Sequence, residues 1–198
     1  HTLLRRQRQM CIRDRLMVNL FKKVKKRTFR SINIPKFDKS IDDRCKKNNW
    51  FKLKKKPDIL ILEGWCVGAR AEGSRSLNRP INVLEKNADK KKIWRSYVNN
   101  QLKSKYSKLF DQLDSLLYLK AKNFKLLKRW RLKQEKKLKM KSGTKKNSKI
   151  MNEKEVETFM MTYQRITQNM FKNAPKYSSA VIDLNENHQI KKVRFKHA

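Results

Sequence analysis

Glu63 is the side chain best placed to do chemistry in this sequence. It follows an apolar run, Ile59 to Leu62, inside Asp58-Ile-Leu-Ile-Leu-Glu-Gly-Trp-Cys-Val-Gly68. Such a run is too short for a helix and suits a central parallel strand covered on both faces. In open α/β sheets ligands bind beyond the carboxyl ends of the strands, so an acid delivered there can hold a magnesium ion or a reacting hydroxyl. Gly64 would allow close backbone approach at the same point. An acid after an apolar strand also serves as a helix cap or turn residue, and Glu63 alone does not separate the two readings. Upstream, Pro35-Lys-Phe-Asp-Lys-Ser-Ile-Asp-Asp-Arg44 brings acids and cations together. Taken alone it reads as a turn in which Asp38 caps and Arg44 pairs with Asp42 or Asp43.

Further segments follow in order: Arg79-Pro-Ile-Asn-Val-Leu-Glu85, Trp94-Arg-Ser-Tyr-Val-Asn-Asn-Gln-Leu102, Trp130-Arg-Leu-Lys-Gln-Glu135 and Met151-Asn-Glu-Lys-Glu155. Together with the two stretches above they resemble the D-glycerate 3-kinase-like family of P-loop small-molecule kinases, which is related to phosphoribulokinases and uridine kinases. The likeness runs from about Leu16 to the C-terminus. It implies an ATP-dependent phosphotransferase acting on a small hydroxy acid, D-glycerate to 3-phosphoglycerate, with ATP and magnesium as cofactors. In that reading Asp38 accepts a hydrogen bond from the substrate hydroxyl, and Lys39 and Arg44 meet its carboxylate, for which arginine offers a bidentate fork. Asp42 and Asp43 orient the arginine. Glu63 acts on magnesium directly or through water, beside Gly64. Arg129 and Arg131 sit on a lid-like region, about 124–150, that closes over phosphate and follows the charge developing in transfer. Arg131 and Glu135 are also four apart on a helix, so a surface ion pair is the plainer account.

Members of that family open on a glycine-rich GxxGxGKST loop whose backbone amides cradle the ATP phosphates. The glycines here are Gly64, Gly68, Gly73 and Gly143, and none stands in that pattern. The family's Asp-Asp-Phe-Tyr-type segment is also missing. The expectation is therefore a partial kinase domain over residues 16–198, inactive as this piece. Residues 1–15 read as an artefactual leader, because Gln9-Met-Cys-Ile-Arg-Asp-Arg15 looks like the translation of an adapter used in preparing sequencing libraries.

The formal net charge of +36 argues for a rival function, a basic nucleic-acid-binding protein on a kinase-like scaffold. The excess is spread along the whole chain, is dominated by lysine, and comes with no helix-turn-helix, zinc-finger or RNP signature. Non-specific attraction to nucleic acid is what such charge predicts. No segment nears the roughly 20 apolar residues needed to cross a bilayer. Cys11, Cys45 and Cys66 lack zinc-site or disulfide spacing, which suits free thiols in a reducing cytoplasm. Cys66 reads as packing, and His1, His188 and His197 belong to no ligand pattern.

These candidates need elements to hold them. Leu16, Leu20 and Val24 mark one face of a helix over 16–26, and Pro35 forces an extended entry to the acid-rich segment. The strand at 58–62 is followed by an irregular stretch from Trp65 to Asp89. Trp94, Val98, Leu102, Tyr106 and Leu109 predict a helix over 91–110. A strand at 115–119 precedes a helix capped by Asn123 and running to about Lys139. Lys141 to Lys149 is a polar linker. Asn152 and Glu155 form a capping-box start for a helix to about Asn173, and Ala180 to Leu184 is the last strand. The fold class expected is α/β, a three-layer P-loop kinase-like parallel sheet truncated on its N-terminal side.

Overall fold

The structure, a computed structural model, describes residues 16–38, 43–142 and 150–196. The expected leader, Lys39 and most of the expected linker lie outside the described residues. Two compact units divide the chain, one reaching to Gly64 and including Lys108–Gln112, the other comprising Trp65–Ser107 and everything from Leu113 onward.

In the first unit, helix α1 (16–25) buries Leu20, Phe21 and Val24, spaced as one helical face requires. Leu20 and Val24 pack with Ile32, and Met17, Phe29 and Ile34 close around them. Ile32 belongs to strand β1 (Ile32–Ile34), which pairs antiparallel with β4 (Phe51–Leu53). Between them lie β2 (Phe37–Asp38) and β3 (Asp43–Arg44), an antiparallel ribbon with Phe37 opposite Arg44 and Asp38 opposite Asp43. The Cys45 amide donates to the Lys36 carbonyl at 2.9 Å, and the Trp50 indole donates to the Cys45 carbonyl at 2.9 Å, closing the base of the ribbon.

The strand expected at 58–62 is not present. Residues 59–64 are irregular, and Ile59 and Ile61 are 78% and 83% exposed. A short apolar run gains its burial only from strands on both edges and layers on both faces. Among the described residues no strand pairs with it.

In the second unit, Asn82 caps α2 (Val83–Ala88) by accepting from the Glu85 amide at 2.9 Å. The chain turns at Lys92, in the left-handed region with φ 59°, into α3 (Ile93–Gln101), where the Asp89 carboxylate accepts from the Trp94 and Arg95 amides at 2.9 and 3.1 Å. A π-helical turn (Leu102–Tyr106) leads on to α4 (Ser107–Phe110), whose residues from Lys108 on are counted with the first unit, so the single predicted helix is a composite. Strand β5 (Leu117–Lys120) precedes α5 (Phe124–Ser142), whose first turn is capped by Asn123 accepting from the Leu126 amide at 2.9 Å. The capping box of Asn152 and Glu155 is present at the start of α6 (Glu153–Tyr177).

Strand β6 (Ala180–Leu184) returns parallel to β5, as a helical crossover allows, and β7 (Ile190–Phe195) adds an antiparallel edge that hydrophobic patterning did not reveal. Tyr118 of β5 and Val181 of β6 pack with Met170 and Ala174 of α6, Leu102 and Ala69 to form the core. The described residues thus hold a mixed α/β fold with one three-stranded mixed sheet and two antiparallel pairs, in place of one large parallel sheet.

Met160 is 1% exposed on α6, whereas Asn152 acts only at the helix end. Met160→Ala is expected to cost about 2–5 kcal/mol, and Asn152→Ala about 1 kcal/mol. Equilibrium urea unfolding of the two variants would check that ranking.

Candidate active site

The first unit contains Asp38, Asp43, Arg44, Glu63 and Gly64. Register places Asp38 and Asp43 opposite one another, while consecutive residues of a strand face opposite sides, which separates Asp43 from Arg44. Asp43 does hold Arg44, but through the main chain: its Oδ1 accepts from the Arg44 amide at 2.7 Å. Asp43 and Arg44 are both exposed. Among the described residues no ion pair takes up the Arg44 guanidinium.

Glu63 and Gly64 are also exposed, and among the described residues no hydrogen bond engages the Glu63 carboxylate. No group of three or more His, Cys, Asp or Glu able to hold a metal occurs among the described residues. The donor set therefore fits a magnesium ion only in its common form, with one or two protein carboxylates and the remaining positions filled by water and phosphate oxygens. For ATP the residues do not fit in the same way, since no glycine in the chain stands in a phosphate-cradling loop.

The second unit contains Arg129 and Arg131. Arg129 pairs with Glu186 at 3.1 Å on the surface. Arg131 forms the four-apart ion pair with Glu135, donates to Gln134 Oε1 at 2.6 Å, and lies with Cζ 5.3 Å from the centre of the Phe159 ring. Its Nε is buried without a partner among the described residues. Glu135, itself buried, accepts from the Met151 amide at 3.1 Å, so the pair ties α5 to the start of α6. Trp130 extends the attachment, stacking on His188 at 4.1 Å and donating to the Glu186 carbonyl at 2.9 Å.

Sequence reasoning missed the densest polar assembly. Arg165 of α6 reaches Glu85 with a two-pronged contact, Nε to Oε1 at 2.8 Å and Nη2 to Oε2 at 2.6 Å. Its Nη1 lies 3.4 Å from Glu72 Oε2 and donates to the Ser76 carbonyl at 3.2 Å, and its Nη2 donates to the Arg79 carbonyl at 2.7 Å. The hydrogen bond to Glu85 raises the Arg165 pKa further, against the opposing effect of burial. Arg95 does parallel work, donating to the Leu77 and Asp89 carbonyls at 2.7 and 2.6 Å. The two arginines bind the irregular stretch after Ala71 to α3 and α6. A shallow recess open to solvent lies among Glu72, Glu85, Arg95, Asn99 and Arg165. Those five side chains are already engaged with one another and with main-chain groups, and so brace this part of the second unit. The contacts span 80 residues or more in sequence, and no local pattern announces them.

Trp65, directly after Gly64, stacks on Tyr163 at 5.4 Å and donates to Thr167 Oγ1 at 3.1 Å. Burial pushes the neighbouring Cys66 thiol up to about 12, which leaves no thiolate for chemistry near neutrality. Gly68 has φ 80°, and a Cβ there would lie 2.7 Å from Leu116 Cδ2, so the turn needs glycine on both counts.

Folded structures of this kind are known. The D-glycerate 3-kinase of Cryptococcus neoformans var. grubii superposes with a TM-score of 0.69 at 22% identity, covering 91% of this chain and 66% of its own. The YGR205w protein gives a TM-score of 0.65 at 23% identity, over 91% of this chain and 63% of its own. The chain has a D-glycerate 3-kinase-like fold. In sequence, the uncharacterized kinase mug58 of Schizosaccharomyces pombe is 33% identical over 138 residues, which take in 67% of this chain and 47% of that protein. No family model matches. The chain thus spans about half the length of this curated kinase and 66% and 63% of the two solved chains. Among the described residues no helix is long and apolar enough to cross a membrane.

Removing Arg165 would strand two carboxylates that are largely enclosed. Arg165→Ala is expected to cost about 3–5 kcal/mol, more than Arg129→Ala at the surface, in chemical unfolding. The Cys66 proton is held more tightly folded than at the ordinary thiol value of 9.0, so its contribution to stability is complete below pH 9 and is lost as pH rises towards 12. Iodoacetamide at pH 8 should accordingly label Cys66 only after denaturant is added, as read by mass spectrometry.

Proposed function

We propose that this chain is the acceptor-side and lid portion of an ATP-dependent small-molecule kinase whose substrate is a hydroxy acid, D-glycerate being the leading candidate. The reading rests above all on the kinase-like fold, together with the ordered motifs from Pro35 to Glu155. The solved relative with the higher TM-score is itself a D-glycerate 3-kinase, and the relative more similar in sequence bears the name of a kinase.

Phosphoryl transfer asks the protein mainly for position and charge. Asp38 would accept the hydrogen bond of the substrate hydroxyl. Lys39 and Arg44 would grip its carboxylate, with Asp43 fixing the Arg44 main chain. Glu63 would reach magnesium through water, beside Gly64. Arg129 and Arg131 would exchange their present acidic partners for phosphate when the lid-like region closes. Magnesium, when bound, supplies charge neutralisation at the phosphates. ATP belongs to the reaction, but this chain brings no cradle for it, so no turnover is expected of the chain by itself. Soluble, cytoplasmic operation on freely diffusing substrates goes with this proposal.

The charge of +36 supports a second reading, a basic nucleic-acid-binding protein on the same scaffold. Helix α5, with Lys125, Lys128, Lys133, Lys136, Lys137 and Lys139, would be its natural contact. Dispersed lysine without base-reading groups predicts weak binding that salt abolishes.

Calorimetric titration of the purified chain with D-glycerate is expected to show binding that Arg44→Met weakens by roughly tenfold to a hundredfold, the range for losing a charge-assisted hydrogen bond. A coupled ADP assay with ATP and D-glycerate should show none; sustained turnover would overturn the incomplete-site reading. Unaltered D-glycerate affinity in Arg44→Met would remove Arg44 from the acceptor site. A DNA complex that survives moderate salt and discriminates between sequences would favour the second reading.

A further inference from the structure

Helix α5 is gripped along two seams. Lys128, Arg131 and Glu135 recur at three- and four-residue spacing and meet α6 and the residues leading into it: Lys128 donates to Glu157 Oε1 at 2.7 Å, the Arg131 guanidinium lies over the Phe159 ring, and Glu135 accepts from the Met151 amide. Arg129 and Trp130 turn instead to the hairpin tip between β6 and β7. Arg129 pairs with Glu186, and the Trp130 indole donates to the Glu186 carbonyl while its ring stacks on His188. Leu126, 2% exposed, keeps the start of the helix packed whether or not the second seam holds.

The tip is built to stand without its imidazole. The Asn185 side chain accepts from the Asn187 and Gln189 amides, both at 2.9 Å, the Asn185 amide donates to the Gln189 carbonyl at 2.9 Å, and the His188 amide donates to the Asn185 carbonyl at 3.2 Å. None of these bonds uses the histidine ring. His188 nevertheless holds a left-handed backbone, φ 64°, a conformation that glycine adopts freely and other residues adopt at a cost. Three-residue hairpin loops ordinarily place glycine at that point. A residue kept against its own backbone preference points to a contact that outweighs it, and the ring contact of His188 is the stack on Trp130.

The two seams differ in depth. Glu135 is 6% exposed, whereas the side chains of Arg129 and Glu186 are 56% and 60% exposed. An exposed ion pair and a single surface stack each contribute little and give way readily to competing ions. The tip is therefore the seam that opens first, and its opening frees Arg129 while the α6 seam still holds the helix. A competing anion has a direct route to that opening. It takes the Arg129 guanidinium from Glu186 and leaves one hydrogen bond and one stack to hold Trp130 at the tip.

We infer that the β6–β7 tip is a latch on the lid-like helix: Arg129 and Trp130 of α5 close on Glu186 and His188 in the resting conformation, and an anion that engages Arg129 opens it. The latch itself stands whether or not D-glycerate is the acceptor. Its use, keeping a lid arginine occupied until phosphate arrives, rests on the function proposed above.

Hydrogen exchange of the purified chain, followed by mass spectrometry with no substrate present, is the test. His188→Gly should act with opposite signs at the two ends of the latch. Amides of residues 128–135 should exchange about threefold to tenfold faster for want of the stack. Residues 185–189 should stay as protected as before and the urea midpoint should be unchanged or higher, because glycine suits the left-handed turn. His188→Asn, which also tolerates that backbone, should repeat the result. Inorganic pyrophosphate, the probe anion, should reproduce the faster α5 exchange in the native chain and have little effect in Arg129→Met. Exchange of α5 at the native rate in His188→Gly would overturn the latch, as would an acceleration shared equally by β5 and β6, which marks general loosening. Pyrophosphate acting alike on the native chain and on Arg129→Met would overturn release through Arg129. A latch that opens as described in a chain that binds no D-glycerate would sustain the inference while counting against the acceptor proposed above.

Discussion

Arg165 is the point at which the second unit's irregular chain becomes a defined surface. From Ala71 to Asn82 the backbone forms a short 3-10 helix (Ser74–Asn78) between irregular stretches, whose polar groups need partners elsewhere. The guanidinium provides several at once, meeting Glu85 and Glu72 and taking the Ser76 and Arg79 carbonyls. Both acids have further duties. Glu85 accepts from the Ile81 amide at 3.1 Å, and Glu72 from the Ser76 hydroxyl at 2.7 Å. A planar fork that stays charged suits this task in a way a lysine could not, because its donors are fixed in direction and number.

Two other attachments share that logic of a long-range polar contact fixing a locally undetermined segment. Asn99 meets both main-chain groups of Glu72, donating to its carbonyl at 3.0 Å and accepting from its amide at 2.7 Å. Trp130 and Arg129 fasten α5 to the turn between β6 and β7 at Glu186 and His188. In consequence the arginines expected to serve a moving lid are engaged in this conformation, Arg129 with Glu186 and Arg131 with Glu135. A role in phosphate binding would require those contacts to be exchanged, and the exposed Arg129–Glu186 pair is of the kind that exchanges at small cost. Arg131 is more deeply held than Arg129, and among the described residues its Nε is buried without a partner.

The local elements of the second unit were largely legible. Strand β6 occupies the predicted residues, α6 begins on the predicted capping box, and Asn123 caps α5, because capping and amphipathic periodicity are written in neighbouring residues. The apolar stripe of the α3 region was read correctly as core, with Leu102 and Leu109 buried, although the π-helical turn inside it left no mark in the pattern. Strand β7 was missed because Ile190-Lys-Lys-Val-Arg-Phe195 lacks strict alternation, the bulge in its pairing having broken the period. The failure at Ile59 to Leu62 has a different origin. Its composition is that of a buried strand, but a strand exists only by pairing, and none of the described strands adjoins it.

Residue types and their order determined the helices, their caps, the last parallel strand and the resemblance to a kinase, since each depends on neighbours a few positions apart or on a motif that survives as text. Tertiary structure alone decided that Arg165 would gather Glu72 and Glu85, and that Leu117, Leu119, Ile190 and Phe195 of the β5–β6–β7 sheet would stand exposed. Those outcomes depend on strand register and on contacts between residues some 80 or more positions apart, where the chain's path through space, and not its local preference, sets which groups meet.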